Sequence, residues 1–177
     1  MSLLRRLGFT PSRSLREDPG LLDAIEGQLS ELAPARAQLV AAFGGLLARV
    51  AYADGEISGD ELARMEDLLV SNAELAVEEA RIVTAIAREK TLRGTEQHLL
   101  TRTFNEVGSE EDKHRLIDCL YAVASADDNV AYVEDVEVRR IADALLVPWS
   151  AVLKIRSPYR DKLEELRLLK GVRGAKS

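Results

Sequence analysis

Two acidic segments carry the side chains that could do chemistry in this sequence. They are ADGEISGDE and ADDNVAYVE, and in each an Asp is followed seven residues later by a Glu. Carboxylate and amide oxygens are the ligands of hard divalent cations, so the pattern predicts a site for a cation of the Ca²⁺ or Mg²⁺ class. The candidate ligands are Asp54, Glu56, Glu61, Asp127, Asp128, Asn129 and Glu134.

The two segments belong to one repeated unit. Asp54 aligns with Asp127, and Glu61 aligns with Glu134, at a constant offset of 73 positions without a gap. Each loop by itself is short of the roughly six to eight oxygens that Ca²⁺ takes. A shared site therefore requires pseudo-twofold packing that brings both loops together. The apolar positions that align at the same offset are Ile57 with Val130, Met65 with Val138, and Leu68 with Ile141.

Helix capping explains the same acids without a metal. Ser58 and Glu61 stand at the N-cap and N3 positions of a capping box, and Asp54 followed by Gly55 is an ordinary turn signal. Glu134 suits the first turn of a helix, where the helix dipole favours acids. The first loop also departs from an EF-hand, because Met65 stands at the twelfth position, where a bidentate Glu is required. The residues alone favour capping over cation binding.

Helices must position these segments. Apolar residues recur at helical spacing along most of the chain, and no stretch alternates apolar and polar residues between turns. This predicts an all-α fold, a helical bundle of about seven to eight helices with two pseudo-symmetric halves. Pro148 should end one helix, and a last helix is predicted from about Pro158 to Leu169. The predicted division is a basic, poorly ordered segment 1–18, a helical domain 19–170 and a basic tail 171–177.

Composition predicts one globular domain in the cytoplasm. The chain has 177 residues, of which 46% are hydrophobic and 31% are charged, which suits a single domain with its own core. The one cysteine, Cys119, suits a reducing compartment and is predicted to be a small buried side chain. We expect neither a secretory signal nor a membrane span, because no apolar stretch approaches the ~20 residues that a span needs.

Charge is unevenly distributed along the sequence. The net charge is −6, yet residues 1–16 hold four Arg and no acid, and residues 154–177 hold eight Lys or Arg against three Asp or Glu. The acidic body between them excludes nucleic acid as a partner and favours cations or a protein partner. The basic ends suit either peripheral contact with an anionic membrane or ordinary solvation. No oligomeric state is predicted.

Enzyme signatures do not occur. His98 and His114 fit no metal-ligand spacing, and the sequence has no GxSxG elbow and no Gly-rich phosphate loop. Gly44 and Gly45 interrupt an apolar helix instead, which predicts close packing of a neighbouring helix. The expected protein is therefore not an enzyme.

The repeated unit resembles the TerB-like family. The stretches AYADGEISGDE and ASADDNVAYVEDVEVRRIADAL, each after an apolar helix, carry the resemblance, which covers roughly residues 35–160. This tellurite-resistance superfamily also includes the N-terminal domain of DjlA-type membrane co-chaperones. The resemblance implies an all-helical bundle with pseudo-symmetric halves. It also implies a role in tellurite and other stress responses, in multi-protein assemblies near the inner membrane.

The resemblance also implies metal-binding positions. The Asp-Gly pair and downstream Glu of the family fall on Asp54, Gly55 and Glu61, and again on Asp127 and Glu134. The sequence departs from the family at positions 128 and 129, where a Gly followed by an acid is more usual.

The function expected from residues and resemblance together is a non-enzymatic helical module. It would bind a divalent cation through its duplicated acidic loops within a stress-response assembly. The alternative is a metal-free scaffold that binds a protein partner through its acidic face.

Overall fold

The described residues of the computed structural model are almost entirely helical. They comprise residues 2–9, 19–53, 57, 59–88, 97–126 and 129–163, and they contain no strand. The all-α prediction is confirmed, with nine α-helices in these ranges instead of seven to eight. The helices are α1 Leu3–Arg6, α2 Pro19–Ser30, α3 Pro34–Ala51, α4 Gly59–Asn72, α5 Val77–Arg88, α6 Gln97–Val107, α7 Glu110–Ala124, α8 Tyr132–Ala144 and α9 Trp149–Arg156, followed by a 3₁₀ helix, Ser157–Lys162.

The end of the chain differs from the prediction of a helix starting near Pro158. Helix α9 begins at Trp149 instead, directly after its N-cap residue Pro148. Proline is tolerated at a helix start because its missing N–H would have no intrahelical partner there. Pro148 therefore separates α8 from α9 and also leads into α9. Residues 164–169 of the predicted helix lie outside the described residues.

Part of the basic segment that the sequence predicts to be poorly ordered, residues 2–9, is among the described residues. Helix α1 lies within residues 1–18, and Leu4, Leu7 and Phe9 are buried in the core. These three apolar side chains are enough to hold residues 3–9 against the bundle. The domain limits at residues 18 and 170 stay a prediction.

Helix α3 forms the centre of the bundle. Every residue from Leu39 to Ala48 is buried, because this stretch is apolar on all sides of the helix. Helices α5 and α6 pack against it most extensively. A Cβ added at Gly44 would lie 2.9 Å from Ile86 Cβ, and one added at Gly45 would lie 2.8 Å from Leu100 Cδ1. The predicted close packing at this glycine pair is confirmed.

A buried carboxylate, that of Asp135, connects helices α7, α8 and α9. Asp135 of α8 is 2% exposed and accepts a hydrogen bond of 2.9 Å from the Tyr121 hydroxyl of α7. It also accepts bonds of 3.0 and 2.7 Å from Nε and Nη2 of Arg156 in α9. Arg139 Nη2 lies 2.8 Å from the same carboxylate. Two guanidinium groups and a hydroxyl therefore compensate the burial of this charge.

A second polar contact attaches the 3₁₀ helix. The rings of Tyr121 and Tyr159 stack with centroids 5.7 Å apart, and the Tyr159 hydroxyl donates a 3.0 Å bond to Asp118 Oδ1. Asn72 at the end of α4 donates a 3.0 Å bond to Asp118 Oδ2. Burial, and then the charge of Asp118, raise the pKa of Tyr159, so its hydroxyl remains a donor.

The glycine contact yields a test. We expect Gly44→Ala to lower the free energy of unfolding by about 1 kcal/mol or more, because the new methyl group forces α3 and α5 apart despite the better helix propensity of Ala. Gly27→Ala is the matched control. It lies in α2 with nothing within 4 Å of the added Cβ, so it should stabilise by about 0.5–1 kcal/mol. Urea denaturation of both variants measures the difference, and equal stabilisation by both would contradict the close packing.

The buried carboxylate of Asp135 yields a second test of stability. Asp135→Asn should cost about 3 kcal/mol, because it removes the buried negative charge with which the guanidinium groups of Arg139 and Arg156 pair. Asp143→Asn, at an exposed site on the same helix, should change stability by no more than about 0.5 kcal/mol. Chemical denaturation monitored by circular dichroism compares the two, and similar midpoints would show that Asp135 does not hold the helices together.

Candidate functional site

The predicted ligands fall only partly within the described residues. Glu61 lies in the first turn of α4, but its side chain is outside the description, whereas Asn129 and Glu134 are described in full. Among the described side chains, no group of three or more His, Cys, Asp or Glu residues could hold a metal ion. The predicted ligands outside the described residues are Asp54, Glu56, Asp127 and Asp128.

The described ends of the two acidic segments meet at one cleft. This cleft, with a volume of about 430 Å³, lies where α3 ends and α8 begins. Ala53 directly precedes the first segment's Asp, and Tyr132 opens the helix that carries the second segment's Glu. Residues from both repeated units therefore form one surface. The lining residues are Ala48, Arg49, Tyr52, Ala53, Tyr132, Val133, Val136, Glu137 and Arg140.

An ion pair crosses the floor of this cleft. Arg49 Nε of α3 lies 2.8 Å from Glu137 Oε1 of α8, and the Glu137 side chain is only 11% exposed. Arg140 Nη1 lies 3.7 Å from the other oxygen of Glu137. Arg49 is the one charged residue within the apolar second half of α3. This contact fixes the end of the first unit's leading helix against the second unit.

A second contact between the two units connects α4 to the turn after α7. Arg64 of α4 donates a hydrogen bond from Nη1 to the backbone oxygen of Ala126. Ala126 directly precedes Asp127, and α4 directly follows the first acidic segment. Each unit therefore contacts the other beside its acidic segment.

The helix ends agree with the repeat. Helix α3 ends at Ala51 and α7 at Ala124, and helix α4 begins at Gly59 and α8 at Tyr132. Both pairs are separated by the offset of 73 that aligns the acids. The pseudo-symmetry of the halves remains a prediction, which these coincident ends favour.

The 3₁₀ helix forms hydrogen bonds with residues on both sides of positions 127 and 128. Lys162 Nζ donates a 3.3 Å bond to the backbone oxygen of Ser125, at the end of α7. The backbone oxygen of Lys162 accepts a 2.8 Å bond from Val130 N–H. The buried side chain of Leu163 completes this attachment. Residues on either side of positions 127 and 128 are thus fixed by the same lysine.

Glu134 caps the start of α8. Its Oε2 accepts a 2.8 Å bond from Ala131 N–H, and the residue is 6% exposed. Ala131 has no side-chain oxygen, so only one half of a capping box forms. Glu79 does the same at the start of α5, accepting a 3.0 Å bond from Ala76 N–H. The side-chain hydrogen bond from Arg36 holds the pKa of Glu79 below its usual value.

Several residues of this region carry no sequence motif. Asp135 is one, although its spacing from Val138 and Ala142 places it on the apolar face of α8, where an acid requires a partner. The isolated charge of Arg49 in an apolar helix is a similar signal. Arg64 and Lys162 have no such signal, because surface cations at these positions look the same whether or not they bind a backbone oxygen.

The described helices do not include one that combines the length and the apolar character needed to cross a bilayer.

A family model described as tellurite resistance protein TerB matches residues 38–157, which include both acidic segments and helices α4 to α9. No curated protein and no solved structure matches the chain.

Cys119 of α7 is a packing residue, as predicted. It is fully buried, and desolvation followed by the charge of Asp118 raises the pKa of its thiol. The thiolate is the reactive form, so we expect no labelling of the native protein by a thiol reagent at neutral or mildly alkaline pH. In denaturant, one thiol per chain should react. Rapid stoichiometric labelling without denaturant would show that Cys119 is accessible and ionisable.

Proposed function

The chain belongs to the tellurite resistance protein TerB family, and on that premise we propose that it is a non-enzymatic module that binds a divalent cation of the Ca²⁺ or Mg²⁺ class. The two acidic segments act jointly in this proposal, within a stress-response assembly of the tellurite-resistance type. The observation that carries it is the single cleft on which the described ends of both segments lie.

Joint action is supported by the contacts between the units. The Arg49–Glu137 ion pair connects α3 to α8, and the Arg64–Ala126 bond connects α4 to the turn after α7. The first residue of one segment, Ala53, and two of the last residues of the other, Tyr132 and Val133, line the same cleft. Carboxylates from both segments would together supply the number of oxygens that neither supplies alone.

Capping and cation binding are compatible at Glu134. A carboxylate offers about four lone-pair sites, so accepting the bond from Ala131 N–H does not by itself prevent it from binding a cation. The capping bond would orient the carboxylate, as hydrogen bonds commonly orient metal-ligating carboxylates. The two interpretations left open by the sequence are therefore not exclusive at this residue.

The fixed ends of the second segment also favour binding. Lys162 bonds to Ser125 and Val130, and Arg64 bonds to Ala126, so the residues on both sides of positions 127 and 128 are already positioned. A site with fixed ends loses less conformational entropy when it closes around a ligand.

A second candidate function is a metal-free scaffold for a protein partner. It is favoured by the exposed side chains of Tyr132 and Val133 at the mouth of the cleft. Tyrosine is enriched in protein interfaces, where its ring buries a large area and its hydroxyl forms a hydrogen bond. A partner seated in this cleft would contact both units.

Calorimetric titration of the intact chain with CaCl₂ and with MgCl₂ tests the cation site. We expect binding heat in the wild type and its loss in both Asp54→Asn and Asp127→Asn, because asparagine retains turn-forming hydrogen bonds but removes the charge. Asp143→Asn, at an exposed site outside both segments near the C-terminal end of α8, is the control and should bind normally. A cation at about 100 times its Kd should raise the free energy of unfolding by about 2.7 kcal/mol.

Each other outcome has a definite meaning. Absence of heat in the wild type with both cations would leave only the metal-free scaffold. Loss of binding in Asp54→Asn but not in Asp127→Asn would contradict a joint site and leave a single-loop site. Family membership would stand in every case.

A further inference from the structure

A stripe of large apolar side chains is exposed along α9 and the residues before it. Leu146 is 77% exposed, Trp149 is 49% exposed and Leu153 is 46% exposed. Trp149 and Leu153 are four residues apart in α9 and therefore lie on one side of that helix, and Leu146 lies in the turn before it. Buried Val152 faces the bundle from the same helix, so α9 has one packed side and one apolar side without cover from the described residues.

Leu146 lies in the turn that ends α8, where the Val147 N–H donates a 3.0 Å bond to the backbone oxygen of Ala142. Its φ of 60° is in the left-handed region, which glycine and asparagine adopt far more readily than a branched apolar residue. A buried side chain could compensate for that conformation by packing, but Leu146 is the most exposed of the large apolar residues. An exposed leucine at this position leaves apolar surface uncovered immediately before α9.

Basic side chains flank the apolar stripe. Lys154 and Arg160 are exposed beside it, and the stretch Trp149–Leu163 holds four Lys or Arg against the single acid Asp161. This is a basic region in a protein with a net charge of −6. A negatively charged partner would therefore approach this side and be repelled by the acidic body.

The stripe continues into a cavity with basic walls. This cavity, of about 340 Å³, is lined by Leu153, Arg156, Ser157, Arg160 and Leu163. Arg156 is turned towards Asp135 by two hydrogen bonds, whereas Arg160 is exposed at the rim. Guanidinium and hydroxyl groups beside leucine side chains suit an anionic headgroup with apolar chains next to it.

We propose that this α9 surface, formed by Leu146, Trp149, Leu153, Lys154 and Arg160, docks onto an anionic lipid membrane. Tryptophan and leucine side chains enter the boundary between headgroups and acyl chains, and Lys and Arg pair with the headgroups. Apolar side chains that protrude, as Leu146 does, suit this insertion. The inference goes beyond the cation site and does not depend on it, because none of these residues lines the cleft between α3 and α8.

The fluorescence of Trp149 tests this docking directly, because it is the only tryptophan of the chain. The intact protein is titrated with vesicles of phosphatidylcholine and phosphatidylglycerol, and separately with vesicles of phosphatidylcholine alone. We expect a blue shift of the emission and co-sedimentation with the anionic vesicles only. Both should weaken as salt concentration rises.

Variants connect the signal to the proposed residues. Leu146→Asn suits the left-handed backbone and removes the apolar side chain, and with Leu153→Ser it should reduce vesicle partitioning about tenfold or more. Lys154→Gln with Arg160→Gln should abolish the preference for anionic vesicles. Val70→Ser, at an exposed apolar residue of α4, is the matched control and should bind as the wild type does.

Three results would overturn the proposal. The first is the absence of both spectral shift and co-sedimentation with anionic vesicles. The second is an equal response to vesicles without the anionic lipid. The third is a blue shift that grows with protein concentration in the absence of vesicles, since that would assign the surface to a second copy of this chain.

Discussion

The burial of Asp135 is the constraint on which the arrangement of the C-terminal helices depends. A charge that is 2% exposed requires compensation, and it receives it from Tyr121 on α7 and from Arg139 and Arg156 on α8 and α9. These bonds have directional geometry, so they fix where α8 and α9 lie relative to α7. The side of α8 that faces the cleft and the side of α9 that faces solvent both follow from that placement.

The helices around α3 are organised mainly by apolar packing. Helix α3 is buried along most of its length, and two consecutive glycines allow α5 and α6 to approach its backbone. Its last turn carries Arg49, which reaches Glu137 of α8. The cleft therefore lies where the apolar centre of the bundle meets these polar contacts, and Ala53, Tyr132 and Val133 are its lining residues from the two acidic segments.

The two proposed sites use different physical properties of this scaffold. The cation site needs carboxylates from both units, and the contacts of Arg64 and Lys162 with backbone oxygens hold the chain beside one of them. The α9 surface needs apolar and basic side chains that the fold leaves uncovered. The two sites attract ligands of opposite charge. The acidic body attracts cations and would repel an anionic membrane, whereas the basic residues of the α9 surface would attract that membrane.

The sequence by itself determined the all-α class, the family, the close packing at Gly44 and Gly45 and the burial of Cys119. These follow from local periodicity, side-chain size and motif spacing, all of which are properties of neighbouring residues. Only the tertiary structure decided that Asp135 is compensated by Arg156, that the ends of the acidic segments lie on one cleft, and that α9 exposes Trp149 instead of packing it on the bundle. Each of these depends on which distant side chains meet, and the pattern of residues along the chain does not specify those pairings.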